Sequence, residues 1–215
     1  MTFFPKKITF ILLFFSAVCM QSEHNYTDEI KKNQKEIKNG QIITMVEENS
    51  SNPKTKAYIT GLAFFDTNPR QILEIVKDLE NYHLFMPNIE KVEIYKVSKI
   101  GIEANYFTAL PFGIKKKYRL IHKVSTVKDV ITFNWEKVDW PEINKEETLN
   151  DVDGRWILIK DAESSGTFVV YSAYLDAGHV PWGLGWLVNS FTKKTVESII
   201  ANTKERCKTN LKGNF

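Results

Sequence analysis

His122 and Tyr171 are the side chains best suited to moving a proton in apolar surroundings. His122 sits in the run "YRLIHKVS" (118–125) and Tyr171 in "GTFVVYSAYLD" (166–176). An imidazole and a phenol facing one pocket could serve as the acid and base of a cyclase- or hydrolase-type reaction on an apolar substrate. A single histidine among apolar neighbours is more commonly a hydrogen-bonded core group, and the sequence puts no second polar group within sure reach of it. His24, His83 and His179 stand at no metal-ligand spacing with each other or with Cys19 and Cys207. Phosphate loop, nucleophile elbow and zinc motif are all absent, so no metal and no cofactor is expected.

Two further stretches have surface chemistry. Lys115, Lys116 and Lys117, with Arg119, follow the turn "ALPFG". They read either as a solvated strand end or as a patch for anionic lipid headgroups, worth about 1 kcal/mol per basic residue near a membrane. At the N-terminus, Lys6 and Lys7 precede an uncharged run over 8–18, which reads as an export signal too short to span a bilayer. "FSAVC" resembles a loose lipobox that would acylate Cys19; ordinary cleavage at 19–22 is the alternative. Either ending leaves Cys207 alone, so no internal disulfide is expected. The expected products are a signal at 1–22, a polar helix or tether at 23–40 and one domain at 41–210. The mature chain would be periplasmic, membrane-anchored or secreted.

Length and charge bound the remaining classes. The 215 residues suit one domain with a sizeable core. The 29 basic and 26 acidic side chains nearly cancel, the more so once Lys6 and Lys7 are removed, which leaves no electrostatic footprint for nucleic acid. Fourteen Phe, eight Tyr and five Trp supply the bulk for a large core or a lined cavity.

These side chains need elements to position them. Strand-like runs at 41–48 and 56–66 precede a helix that starts at Pro69, capped by Asn68 or Thr67, with Ile72, Ile75, Val76 and Leu79 at helical spacing. After Pro87 come six strand-like runs joined mostly by short turns, which only antiparallel neighbours permit. The exception is the acidic loop at 139–152 containing Trp140, a candidate protein-binding surface. A long amphipathic helix closes the chain, with Leu184, Leu187, Val188, Phe191, Thr195, Ile199 and Thr203 on one stripe.

Alternation then assigns faces. Arg119 and Lys123 turn outward and Tyr118, Leu120, His122 and Val124 inward. Asn134 and Glu136 turn outward; Ile131, Phe133 and Trp135 turn inward. Trp156 and Leu158 face inward, as do Thr167, Val169, Tyr171 and Ala173. Bulky apolar walls with a few polar tips are the composition of a small-molecule pocket as well as of a plain core. The expected ligand wall is Phe85, Leu120, His122, Phe133, Trp135, Trp156, Leu158, Val169 and Tyr171, closed by Leu184, Val188 and Phe191 of the helix.

"DLENYHLFMPNIEKVEI" (78–94), through Asp78, Tyr82, Phe85 and Pro87, resembles the segment after the first helix in START-like (SRPBCC) proteins, the superfamily of lipid-transfer domains and polyketide cyclases. "DAGHVP" (176–181) resembles the Asp-Pro-Gly-Gly stretch where the last strand of that family enters the closing helix, with Ala177 and His179 in place of a proline and a glycine. The resemblance covers about 41–208. It implies an α+β helix-grip fold, a curved antiparallel β-sheet wrapped around a long C-terminal α-helix with an internal hydrophobic cavity, and it carries over no fixed catalytic residues. The expected function is binding or transport of a lipid or other hydrophobic small molecule. In that frame Trp182, Gly183, Gly185 and Trp186 read as a gate: glycine in a helix costs about 1 kcal/mol against alanine, so these turns deform easily.

Overall fold

A computed structural model describes residues 26–48, 56–110, 113–178 and 193–212. Eight strands form one antiparallel sheet: β1 (Ile43–Glu48), β2 (Ala57–Phe65), β3 (Ile89–Val97), β4 (Ile102–Ala109), β5 (Lys115–Val127), β6 (Val130–Val138), β7 (Asp151–Lys160) and β8 (Thr167–Asp176). Their order is β1-β2-β8-β7-β6-β5-β4-β3. Strands β3 to β8 therefore run as successive hairpins, as the short turns require, and β8 returns to lie beside β2. The β5–β6 hairpin turns through Lys128 and Asp129, with Lys128 at φ 54°.

Among the described residues four α-helices accompany the sheet. Residues 26–32 (α1) are helical and lead into α2 (Gln34–Lys38). Helix α3 (Pro69–Lys77) starts as its sequence dictates: Asn68 accepts from the Gln71 N–H, and Pro69 fills the first turn, where an N–H has no partner to lose. A 3-10 turn (Leu79–Leu84) follows it, and α4 (Lys193–Lys212) closes the chain. Among the described residues no helix is long and apolar enough to cross a membrane.

The main core lies between the inner face of the sheet and α3, the 3-10 turn and α4. It joins Ile72, Ile75 and Val76 to Val196, Ile199, Ile200 and the inward residues of β4 to β8. Helix α4 approaches β2 at Gly61, where a β-carbon would stand 2.8 Å from Val196 and 2.4 Å from Ile200. Only a residue without a side chain lets the helix sit that close.

The outer face carries a second core that the sequence did not suggest. Tyr26, Ile30 and Ile37 of α1 and α2 pack on Leu62, Phe64, Ile157, Phe168 and Val170. Lys38 ties the same layer down through Asp161, 3.0 Å away, and lies over the rings of Phe64 and Phe168. Residues 26–32 and 34–38 are helical, and their sparse apolar residues fall on one face and meet apolar strands beneath. That layer also accounts for the apolar residues Ile157, Phe168 and Val170 on the outer face of β7 and β8.

Three outward assignments need correction. Arg119 is buried, its Nε 2.8 Å from Asn105 Oδ1 and its guanidinium over the rings of Tyr95 (3.6 Å) and Trp140 (4.9 Å). Trp140 also meets Phe107 edge-on, so the acidic loop folds back on the sheet instead of presenting its tryptophan. Lys115, Lys116 and Lys117 form no continuous cationic patch. Lys116 is buried and donates to the carbonyls of Glu146 (2.7 Å) and Thr148 (3.1 Å); Lys115 pairs with Glu90 and Lys117 with Glu147. Val124, assigned inward, is 45% exposed because β5 runs past the end of the core.

Candidate functional site

The first family-like stretch ties the closing helix to the cavity floor, and the described part of the second, 176–178, is held by local hydrogen bonds. Asp78 accepts from Asn81, Tyr82 donates to the Val76 carbonyl at 2.5 Å, and Tyr82 meets Phe85 edge-on at 5.4 Å. The Phe85 carbonyl accepts from Asn202 Nδ2, which ties α4 to the 3-10 turn. At the other end Asp176 accepts from the Gly178 N–H at 3.0 Å and from Asn150, and Gly178 turns the chain at φ +68°. That left-handed conformation is the reason a glycine stands there.

Between the sheet and α4 lies a cavity of about 130 Å³. Its wall includes Leu120, His122, Trp135, Trp156 and Tyr171 of the expected set, together with Tyr82, Met86, Tyr106, Thr108, Tyr118, Leu149, Val152, Ala173, Thr195 and Ile199. Phe85, Phe133, Leu158 and Val169 are buried in the core around it without lining it. Leu184, Val188, Phe191 and the proposed gate Trp182, Gly183, Gly185 and Trp186 lie outside the described residues, as does Cys19. Cys207 is buried on α4, and burial pushes its thiol up to about 12, too high for a reactive thiolate.

The wall is a chain of touching rings. Tyr106 stacks on Tyr118 at 5.3 Å and His122 on Phe133 at 5.2 Å; Trp135 neighbours both His122 (6.5 Å) and Tyr171 (5.6 Å); Trp156 meets Tyr171 edge-on at 4.6 Å. Tyr106, on β4, was missed. Its alternation with Ala104 and Thr108 marks it as inward, but Phe107 beside it offers an equally aromatic choice on the other face.

His122 bonds not to Tyr171 but to Tyr106, with Nε2 2.9 Å from the phenol oxygen. Trp135 lies between His122 and Tyr171, its ring 6.5 Å from the first and 5.6 Å from the second. Burial lowers the imidazole to about 3 and raises the Tyr106, Tyr118 and Tyr171 phenols, so all four groups are neutral near pH 7. An imidazole held that far below neutrality is a weak base.

The same shift makes stability pH-dependent. In the unfolded chain His122 takes a proton below about pH 6.5, whereas the folded chain refuses it down to about 3. Its contribution is therefore complete above pH 6.5 and is lost as pH falls, at about 1.4 kcal/mol per unit. Urea midpoints are expected to drop between pH 7 and pH 5 by the equivalent of about 2 kcal/mol, and by much less in His122→Phe. Parallel pH profiles for the two proteins would refute this assignment.

Among the described residues no group of three His, Cys, Asp or Glu side chains could hold a metal ion. No family model and no curated protein sequence matches the chain. Solved structures do. A STAR-related lipid transfer protein from Xanthomonas axonopodis superposes with TM-score 0.66 at 18% identity, over 78% of this chain and 93% of that one. The human StAR-related lipid transfer protein 5 gives 0.63 at 13% identity, over 90% and 98%. The ZhuI aromatase/cyclase from Streptomyces sp. R1128 gives 0.57 at 10% identity, over 72% and 94%. With its eight-stranded antiparallel sheet, its closing helix and the cavity between them, the chain has the START-like helix-grip fold.

Proposed function

We propose that this protein binds a hydrophobic small molecule, or the apolar part of a lipid, in the cavity between sheet and α4, and does so as a carrier or sensor. The observation that carries the reading is a partly open cavity walled mostly by aromatic and aliphatic side chains, with Asn88, Thr108 and Thr195 among them and no charged residue among the described lining. Such a wall favours apolar surface at about 25 cal/mol per Å² and gives an ionic substrate nothing to pair with. An engineered apolar cavity of about 150 Å³ accepts benzene, so the present space suits a group of about single-ring size. The lipid-transfer proteins of the same fold support this class of ligand by analogy of architecture. The low basicity of His122 and its separation from Tyr171 favour binding over the cyclase reading.

We also propose that the protein works outside the cytoplasm, on the strength of the basic and apolar pattern in residues 1–22, with Cys19 as the candidate acylation site. The test is to express the full chain in a bacterium, purify it from the envelope and extract it with organic solvent. A stoichiometric apolar molecule in the mass spectrum supports the reading. An empty protein that also takes up no apolar probe offered in excess overturns it.

A further inference from the structure

Four tyrosines of the cavity wall are buried, and their hydroxyls fall into two pairs. Tyr82 donates to the Val76 carbonyl, and the Tyr106 oxygen is bonded to His122 Nε2. Tyr118 and Tyr171, each 7% exposed, have no hydrogen-bond partner among the described residues. The side-chain polar atoms shut off from solvent without a partner are, among the described residues, Glu47 Oε1, His122 Nδ1 and Arg206 Nε. The Tyr118 and Tyr171 hydroxyls are not of that kind. Each keeps surface that a small molecule can touch, and both side chains line the cavity. The indole Nε1 of Trp156, whose ring meets Tyr171 edge-on at 4.6 Å, is in the same state. Of the other polar side chains in the wall, Thr108 donates to the Lys116 carbonyl at 3.1 Å, Thr195 is half-buried and Asn88 is exposed.

Open donors in a dry wall bias what can enter. Two phenol hydroxyls and an indole N–H can all donate, so the group that matches them is an acceptor. Burial keeps both phenols protonated, and Tyr118 adds to the rise at Tyr171, as two hydroxyls sharing one poorly solvated space should. A pure hydrocarbon would displace solvent from these donors and return no hydrogen bond, which costs their desolvation outright. An oxygen with two lone pairs can accept from two donors at once.

Resting on the ligand-binding reading above, we propose that the guest is a mostly apolar molecule bearing an alcohol or carbonyl oxygen. That oxygen accepts from the Tyr118 and Tyr171 hydroxyls, and the hydrocarbon part lies against Leu120, Trp135 and Trp156. The two tyrosines thus act as the polar end of the site, one on β5 and one on β8.

Two probes of matched shape test this: cyclohexanol, and methylcyclohexane, in which CH₃ replaces the hydroxyl. Each is titrated by NMR into the full-length protein and into Tyr118→Phe and Tyr171→Phe, which keep the ring and lose only the oxygen. Water holds the alcohol more strongly than the hydrocarbon, so the readout is the change of the affinity ratio on substitution. Each variant is expected to bind cyclohexanol about tenfold more weakly, equivalent to about 1.4 kcal/mol, and methylcyclohexane within about twofold of the unmodified protein. Because neither hydroxyl is bonded within the protein, both variants should keep its urea midpoint, whereas Tyr106→Phe, which breaks the contact with His122, should lower it. A ratio unmoved in either variant removes that hydroxyl from the site and overturns the proposal while leaving apolar binding intact. A variant that fails to fold, or loses as much stability as Tyr106→Phe, overturns it too, since its hydroxyl would then be holding the fold. If neither probe binds the unmodified protein, the ligand-binding reading fails and this one with it.

Discussion

A chain lacking residues 1–40 is expected to aggregate. The cut falls where the sequence alone would start the domain, yet it removes Tyr26, Ile30 and Ile37, which are 2%, 7% and 0% exposed, together with the Lys38–Asp161 pair. It uncovers Leu62, Phe64, Ile157, Phe168 and Val170 as one apolar strip across β2, β8 and β7. At about 1.5–3 kcal/mol for each large side chain returned to water, the loss of three is about 5 kcal/mol or more. That is comparable with the whole net stability of a typical domain, and the exposed strip is itself a surface for self-association. The point variant Ile37→Asp should act in the same direction, whereas Lys35→Ala, at an exposed position of α2, should leave the melting temperature within a degree or two. Size-exclusion chromatography and thermal unfolding check all three. A soluble monomeric truncation that melts with the full chain would show that the outer layer contributes nothing.

Trp156→Ala is expected to cost about 3–5 kcal/mol, the usual range for deleting a fully buried large aromatic. Trp156 is 1% exposed, packs edge-on against Tyr171 at 4.6 Å and forms part of the cavity wall. Because the space it leaves opens into an existing cavity, the surroundings have little reason to collapse into it. The variant should therefore bind larger apolar probes than the unmodified protein does, even as its urea midpoint falls. A loss below about 1 kcal/mol with an unchanged size preference would mean that the ring is not a wall of the site.

What could be read from the sequence divides by range. The order of strands and helices was legible because alternation, the Asn68–Pro69 start and the short turns act within a few residues. Leu120, His122, Trp135, Trp156 and Tyr171 were placed on the cavity wall by the same local rule. Arg119 and Lys116 were misjudged because their partners come from elsewhere: Tyr95 and Trp140 cover the guanidinium, and the loop carbonyls of Glu146 and Thr148 receive the ammonium. A charged side chain looks solvent-bound in any local window that lacks its partners. Ile30 and Ile37 failed as signals for a related reason, since two apolar residues in a polar stretch mean burial only if a two-sided sheet lies beneath them. Tyr106 was legible in parity but not in preference over Phe107.

The cover given by α1 and α2 is confined to one side of the sheet. Strands β2, β7 and β8 are sandwiched between two cores, whereas β3 to β5 have the main core on one side only. Local opening is easiest where the fewest apolar contacts must be broken. The barrel-like grip is thus a hand with a stiff palm and softer fingers. On the binding function proposed above, admission and release of a guest are expected on the β3–β5 side and its turns, with the strands carrying Trp156 and Tyr171 keeping their shape.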